Sequence, residues 1–98
     1  MTGNERFKII RHLPSRINEP DDLSLPYRLE INLSPPSFMQ VAFVMLHGGS
    51  EEVVARCADA RAVEQLLEEY DFRGHPRLRW IKMTGPDGVT ADITKRAA

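Results

Sequence analysis

Residues 59–88, DARAVEQLLEEYDFRGHPRLRWIKMTGPDG, decide the reading of the fold, because a helix, a strand and a turn follow one another there with every boundary marked. Asp59 is a capping residue. Val63, Leu66, Leu67 and Tyr70 recur at the i, i+3, i+4, i+7 spacing that makes one apolar stripe. An aspartate at the cap accepts a bond from an otherwise orphan amide and complements the positive end of the helix dipole. Ala58 and Val63 stand where a hydrophobic staple forms. Gly74 and Pro76 stop the helix, Arg77 to Met83 reads as a strand, and Gly85-Pro86-Asp87-Gly88 is turn chemistry. Leu78 and Trp80 are expected on one face of that strand, with Ile81 and Met83 on the other.

The charge pattern across this stretch is sharply divided. Glu68, Glu69 and Asp71 put negative charge where the helix dipole is already negative, and no basic residue lies between Ala62 and Phe72. Arg73, His75, Arg77 and Arg79 follow with no intervening acid. Some of them are expected to fold back and offset that repulsion.

Downstream of the turn, Val89, Ala91 and Ile93 alternate with Thr90 and Asp92 as a short closing strand, and residues 94–98 read as a flexible tail. Upstream, Val53, Ala55 and Cys57 share one face of a strand over Glu51 to Cys57. His47-Gly48-Gly49-Ser50 supplies a tight hairpin turn. Phe38 to Leu46 loses alternation, with Val41 to Leu46 apolar on both faces, the mark of a central strand covered on both sides. Ser34-Pro35-Pro36-Ser37 is a connection, because proline lacks the ladder donor. Tyr27 to Leu33 is the cleanest strand: Tyr27, Leu29, Ile31 and Leu33 point one way, and Arg28, Glu30 and Asn32 the other. Residues 13–26 read as a proline-containing surface loop, and Arg6 to His12 as a first strand with Phe7 and Ile9 opposite Lys8 and Ile10. Residues 1–5 are expected to be flexible.

The fold class that follows is α+β: one small domain over residues 1–98, with a mostly antiparallel sheet of five to six strands and one amphipathic helix packed on one face, in the order β-β-β-β-α-β-β. A helix of about 12 residues is about 18 Å long. It covers only part of such a sheet, so a homodimer, or another protein, is expected to cover the rest.

With 98 residues, 42% of them apolar, the chain has material for one core, and 28% charged residues is ordinary for a folded protein. A net charge of −1 and a pI near 6.3 argue against a general binder of nucleic acid or anionic membranes. A single cysteine fits a reducing compartment, and the first residues hold no apolar core of signal-peptide length. The longest fully apolar run, Val41 to Leu46, is far short of the roughly 20 residues of a membrane helix. A cytoplasmic protein is expected, with no membrane partner. Ten arginines against three lysines hint at a GC-rich bacterial genome.

Catalytic signatures are missing from the sequence. Cys57 shares a face with Val53 and Ala55 and reads as a small core residue. His12, His47 and His75 show no metal-ligand spacing, so neither metal nor cofactor is expected. The glycines after His47 lead into Glu51-Glu52, which would repel a phosphate, so the stretch is a turn and not a phosphate cradle. Gly85 to Gly88 lacks the alternating acids of a calcium loop. The pairs Asp21-Asp22, Glu51-Glu52 and Glu68-Glu69 diverge in direction and read as solvated charge.

The leading expectation is a non-enzymatic bacterial interaction or accessory module acting as a homodimer through a sheet face or edge. A second is a nucleic-acid-binding regulator: Arg73, Arg77, Arg79 and Lys82 surround Trp80, an arrangement that clamps phosphates and stacks a base. A third is a small enzyme or ligand-binding domain with a pocket near His47 and Cys57.

Overall fold

The computed structural model of the chain describes residues 6–13, 17–34 and 51–95. The strands are β1 (Phe7–Leu13), β2 (Ile17–Asn18), β3 (Tyr27–Leu33), β4 (Glu51–Cys57), β5 (Leu78–Thr84) and β6 (Thr90–Asp92), and the helix, α1 (Ala60–Glu69), follows β4. They form one sheet in the order β2-β1-β4-β3-β5-β6. Every pairing is antiparallel. The class is α+β, with α1 lying across β1, β4 and β3 on one face. The doubly apolar strand expected over residues 38–46 and the turn at His47 lie outside the described residues. Within the expected 13–26 loop, Ile17 and Asn18 pair with His12 and Arg11 as a two-residue strand.

The alternation of β3 and β4 translates directly into the core. Leu29, Ile31 and Leu33 lie opposite Ala55, Val53 and Glu51, and all of these except Glu51 are fully or almost fully buried beneath Val63, Leu66 and Leu67 of the helix. Cys57 and Ile81 complete that layer. Asp59, in extended conformation, accepts a 2.8 Å bond from the Ala62 amide. The same carboxylate takes both 2.9 and 3.1 Å bonds from Arg6, tying the start of β1 to the helix cap.

The helix ends earlier than Gly74. Asp71 adopts a left-handed conformation (φ 52°), its amide donates to the Glu68 carbonyl, and the Phe72 amide donates to the Leu67 carbonyl. These are the two bonds of a Schellman motif, with aspartate where glycine is usual. The reversal swings Tyr70 outward, where it is 48% exposed, and tucks Phe72 into the core instead. Tyr70 therefore leaves the stripe that its spacing predicted. At Gly74 an added Cβ would lie 2.7 Å from an Asp71 carboxylate oxygen, so that exposed side chain would have to shift.

Two β-bulges alter the faces. In β1 the register passes from Ile9 opposite Ala55 to Arg11 opposite Val54, so Ile10 is an extra residue. Beyond it, Arg11 joins the face of Lys8, and His12 turns to the helix side. In β5 the register passes from Asn32 opposite Trp80 to Leu33 opposite Leu78, making Arg79 the extra residue. Leu78 thus joins Ile81 and Met83 on the helix side, and Trp80 joins Lys82 on the other, correcting the simple alternation expected for this strand.

The turn between β5 and β6 follows its sequence. The Gly88 amide donates to the Gly85 carbonyl at 3.0 Å, and Gly88 takes φ 84°. Thr94, expected in a loose tail, is tied down, its hydroxyl accepting from the Ile81 amide at 2.9 Å.

Candidate functional site

The sheet face turned away from the helix carries charge where the other carries aliphatic side chains. The registers define three rows across it. One runs Arg11, Val54, Glu30, Lys82 and Asp92; a second runs Lys8, Arg56, Arg28 and Thr84; a third places Glu52, Asn32 and Trp80 side by side. Ion pairs link the rows. Arg11 bonds Glu52, Arg28 bonds Glu30 at 2.9 Å, and Arg56 grips Asp21 of the preceding loop through 2.8 and 2.9 Å bonds. The Arg56 bond, ahead of the burial that opposes it, holds the Asp21 carboxyl below its usual range. Val54 and Asn32 are buried even on this face, and Asn32 Oδ1 accepts no hydrogen bond among the described residues.

The basic residues expected to act together are separated by the fold. Trp80 is partly buried, and Lys82 Nζ sits 4.6 Å from its ring centroid, a cation–π contact. Arg79 is exposed at the bulge, with no hydrogen bond or ion pair among the described residues. Arg73 turns away to bond Glu64 at 2.6 and 3.1 Å and the Ile93 carbonyl at 3.2 and 3.0 Å, so it joins the helix to the end of β6. Arg77 reaches the Ser34 carbonyl at 2.7 Å and Glu51 at 3.1 Å. Arg79, Trp80 and Lys82 remain for an external contact.

A second cluster assembles where sequence reading found only isolated residues. Glu51 accepts from Arg77 through one oxygen and meets His12 Nε2 at 2.7 Å through the other, while the Arg77 amide donates to His75 Nδ1 at 3.0 Å. The Glu51 side chain is 14% exposed, so Glu51-Glu52 is not a pair of solvated charges. No local spacing signals this cluster, because His12 and Glu51 are brought together by the β1–β4 register and the bulge that precedes it.

Cys57 is fully buried, and burial, followed by the charge of Asp59, pushes its thiol up to about 12. It is a packing residue, with no thiolate for nucleophilic chemistry near neutral pH. His47, its suggested companion, lies outside the described residues. Depressions of about 430 and 500 Å³ flank the C-terminal end of α1, lined by Glu68 with Asp71 and Arg73 on one side and with Phe7 and Gln65 on the other. No group of three or more metal-ligating side chains converges among the described residues. No helix among them is long and apolar enough to cross a membrane.

Compared with protein-family models, curated proteins and solved structures, the chain gives no significant match.

Proposed function

We propose that the chain is a non-enzymatic interaction module of the bacterial cytoplasm that associates as a homodimer through the sheet face opposite the helix, with Trp80 as its anchor. The observation that carries this reading is the setting of Trp80: a partly buried indole on a face where Arg11, Arg28 and Arg56 each already hold a carboxylate. Tryptophan and arginine are the residues most enriched at binding hot spots. A face that carries both cations and anions can meet its own copy about a two-fold axis with cations of one copy set against anions of the other. The same pairing weakens the nucleic-acid reading, which needs unopposed positive charge along a backbone.

Light scattering after size exclusion tests the proposal. The wild-type protein is expected at twice the chain mass, and Trp80→Ala at the mass of one chain with an unchanged circular dichroism spectrum. A wild-type monomer at 100 μM, about the upper range of transient association, would end it.

A further inference from the structure

β6 is the last strand of the sheet and pairs with β5 alone. The Ile93 amide donates to the Ile81 carbonyl at 2.8 Å and the Gly85 amide to the Val89 carbonyl at 3.1 Å, so Val89 and Ile93 direct main-chain groups to β5. Alternation then turns the N–H and C=O groups of Thr90 and Asp92 away from the sheet. All three residues of β6 are exposed, as are Asp87, Val89 and Lys95 on either side. An unpaired strand edge is a template for another strand, and proteins block it with proline, an inward lysine, a bulge or a covering element. β6 carries no proline, lysine or bulge, and α1 lies over β1, β4 and β3 instead. Its one charged residue, Asp92, has its carboxylate turned back along its own chain, where Oδ1 accepts from the Thr94 amide at 2.9 Å and from the Thr94 hydroxyl.

This edge is complementary to itself in one register. Two copies of β6 set antiparallel about a two-fold axis at Ala91 place each Thr90 opposite Asp92 of the partner subunit, and the two outward pairs exchange four main-chain hydrogen bonds. The Thr90 hydroxyl, which shares a bond with Thr84, then faces a carboxylate. Continued past the strand ends, the same register sets Val89 toward the partner's Ile93 and Asp87 toward the partner's Lys95, apolar to apolar and acid to base. A register centred on Asp92 would instead oppose two Asp92 carboxylates and is disfavoured. Ala91, at the axis, carries only a methyl group, so the two strands approach without a clash.

We infer that β6 is a second self-association surface, at which one copy, or one face-paired dimer, joins the next edge to edge in a continuous antiparallel sheet. The contact is made in the plane of the sheet and does not use Trp80, so it neither competes with the face contact nor rests on it. Four hydrogen bonds along a strand of three residues bury well under the roughly 1,600 Å² of a standard interface, which puts the contact at about millimolar strength, weaker than the face.

Amide exchange with solvent, followed by NMR, tests it in the wild type and in Trp80→Ala, so that the edge is read whether or not the face contact forms. Exchange at Thr90 and Asp92 is expected to slow about twofold between about 50 μM and about 2 mM protein, as a millimolar equilibrium fills. Ala91 and Ile93, whose amides already face β5, are expected to stay unchanged. Thr90→Pro removes an outward donor at an edge position that tolerates proline, and is expected to abolish the slowing at Asp92. Lys95→Glu sets like charge against the partner's Asp87 and is expected to reduce the slowing; adding Asp87→Lys swaps the pair and is expected to restore it. Exchange at Thr90 and Asp92 that does not depend on protein concentration overturns the inference, whether it is fast throughout or slowed by the chain itself at the lowest concentration. Failure of the charge-swapped variant to recover overturns the two-fold register.

Discussion

The two faces of this sheet are built from the same strands and obey different rules. On the helix side, Leu29, Ile31, Val53, Ala55 and Ile81 are fully buried, and their energy comes from area removed from water. On the other side, Arg11, Arg28 and Arg56 are satisfied one by one by Glu52, Glu30 and Asp21. The first face tolerates no change of volume. The second tolerates changes of partner, because an exposed ion pair contributes little and is readily exchanged. In β3 and β4, therefore, the odd positions build the apolar core and the even ones carry the charged and polar side chains of the opposite face.

The largest expected effect lies on the covered face. Leu66→Ala should lose about 2–5 kcal/mol in urea unfolding, through lost transfer energy and the cavity left behind. A loss below about 1 kcal/mol would show that the helix is not the main cover of the sheet. Glu51→Gln comes next, at about 1–3 kcal/mol, because it weakens the contacts to His12 and Arg77 together. Neither single partner variant, His12→Gln or Arg77→Gln, should cost as much in the same measurement.

Proton linkage separates the faces by pH. The buried Cys57 thiol has its pKa raised from 9.0 to about 12, so its share of stability is present below pH 9 and is lost as pH rises toward 12. Cys57→Ala should flatten that alkaline slope. Below pH 9, native protein should carry on the order of a thousandfold less thiolate than unfolded chain, read as slow alkylation by iodoacetamide. Asp21 on the charged face behaves oppositely. Its lowered pKa means that its contribution is present above the ordinary value of 3.8 and is lost as pH falls through the lowered one. Asp21→Asn should flatten the acid slope alone. The smallest effect belongs to Arg28→Gln, expected within about 1 kcal/mol of wild type in unfolding, because its ion pair with Glu30 is part-exposed. A larger loss would erase the distinction between the faces.

Most of the covered face is legible in the sequence. The period-2 pattern of Tyr27 to Leu33 and of Val53 to Cys57, and the stripe of Val63, Leu66 and Leu67, name the core residues before any coordinates. The charged face is legible in composition but not in arrangement. Bulges at Ile10 and Arg79 shift the alternation by one residue, and no residue type in β1 or β5 announces them. The helix end illustrates the same limit. Gly74 is the obvious stop signal, yet the left-handed turn falls at Asp71, because Phe72 gains more from burial than Tyr70 would. Cross-strand neighbours such as His12 and Glu51, or Lys8, Arg56 and Arg28, are set by register and carry no local signature.

The strand order also governs how fast this chain finds its structure. Phe7 pairs with Cys57 and Leu33 with Leu78, so the four inner strands join segments far apart in sequence, and among the described residues local hairpins lie only at the two edges, β1–β2 and β5–β6. Even the helix cap is shared with a distant residue, since Asp59 holds Arg6. Long loops must close before these contacts can form, which places refolding on the order of milliseconds to seconds, slower than helical domains of this size.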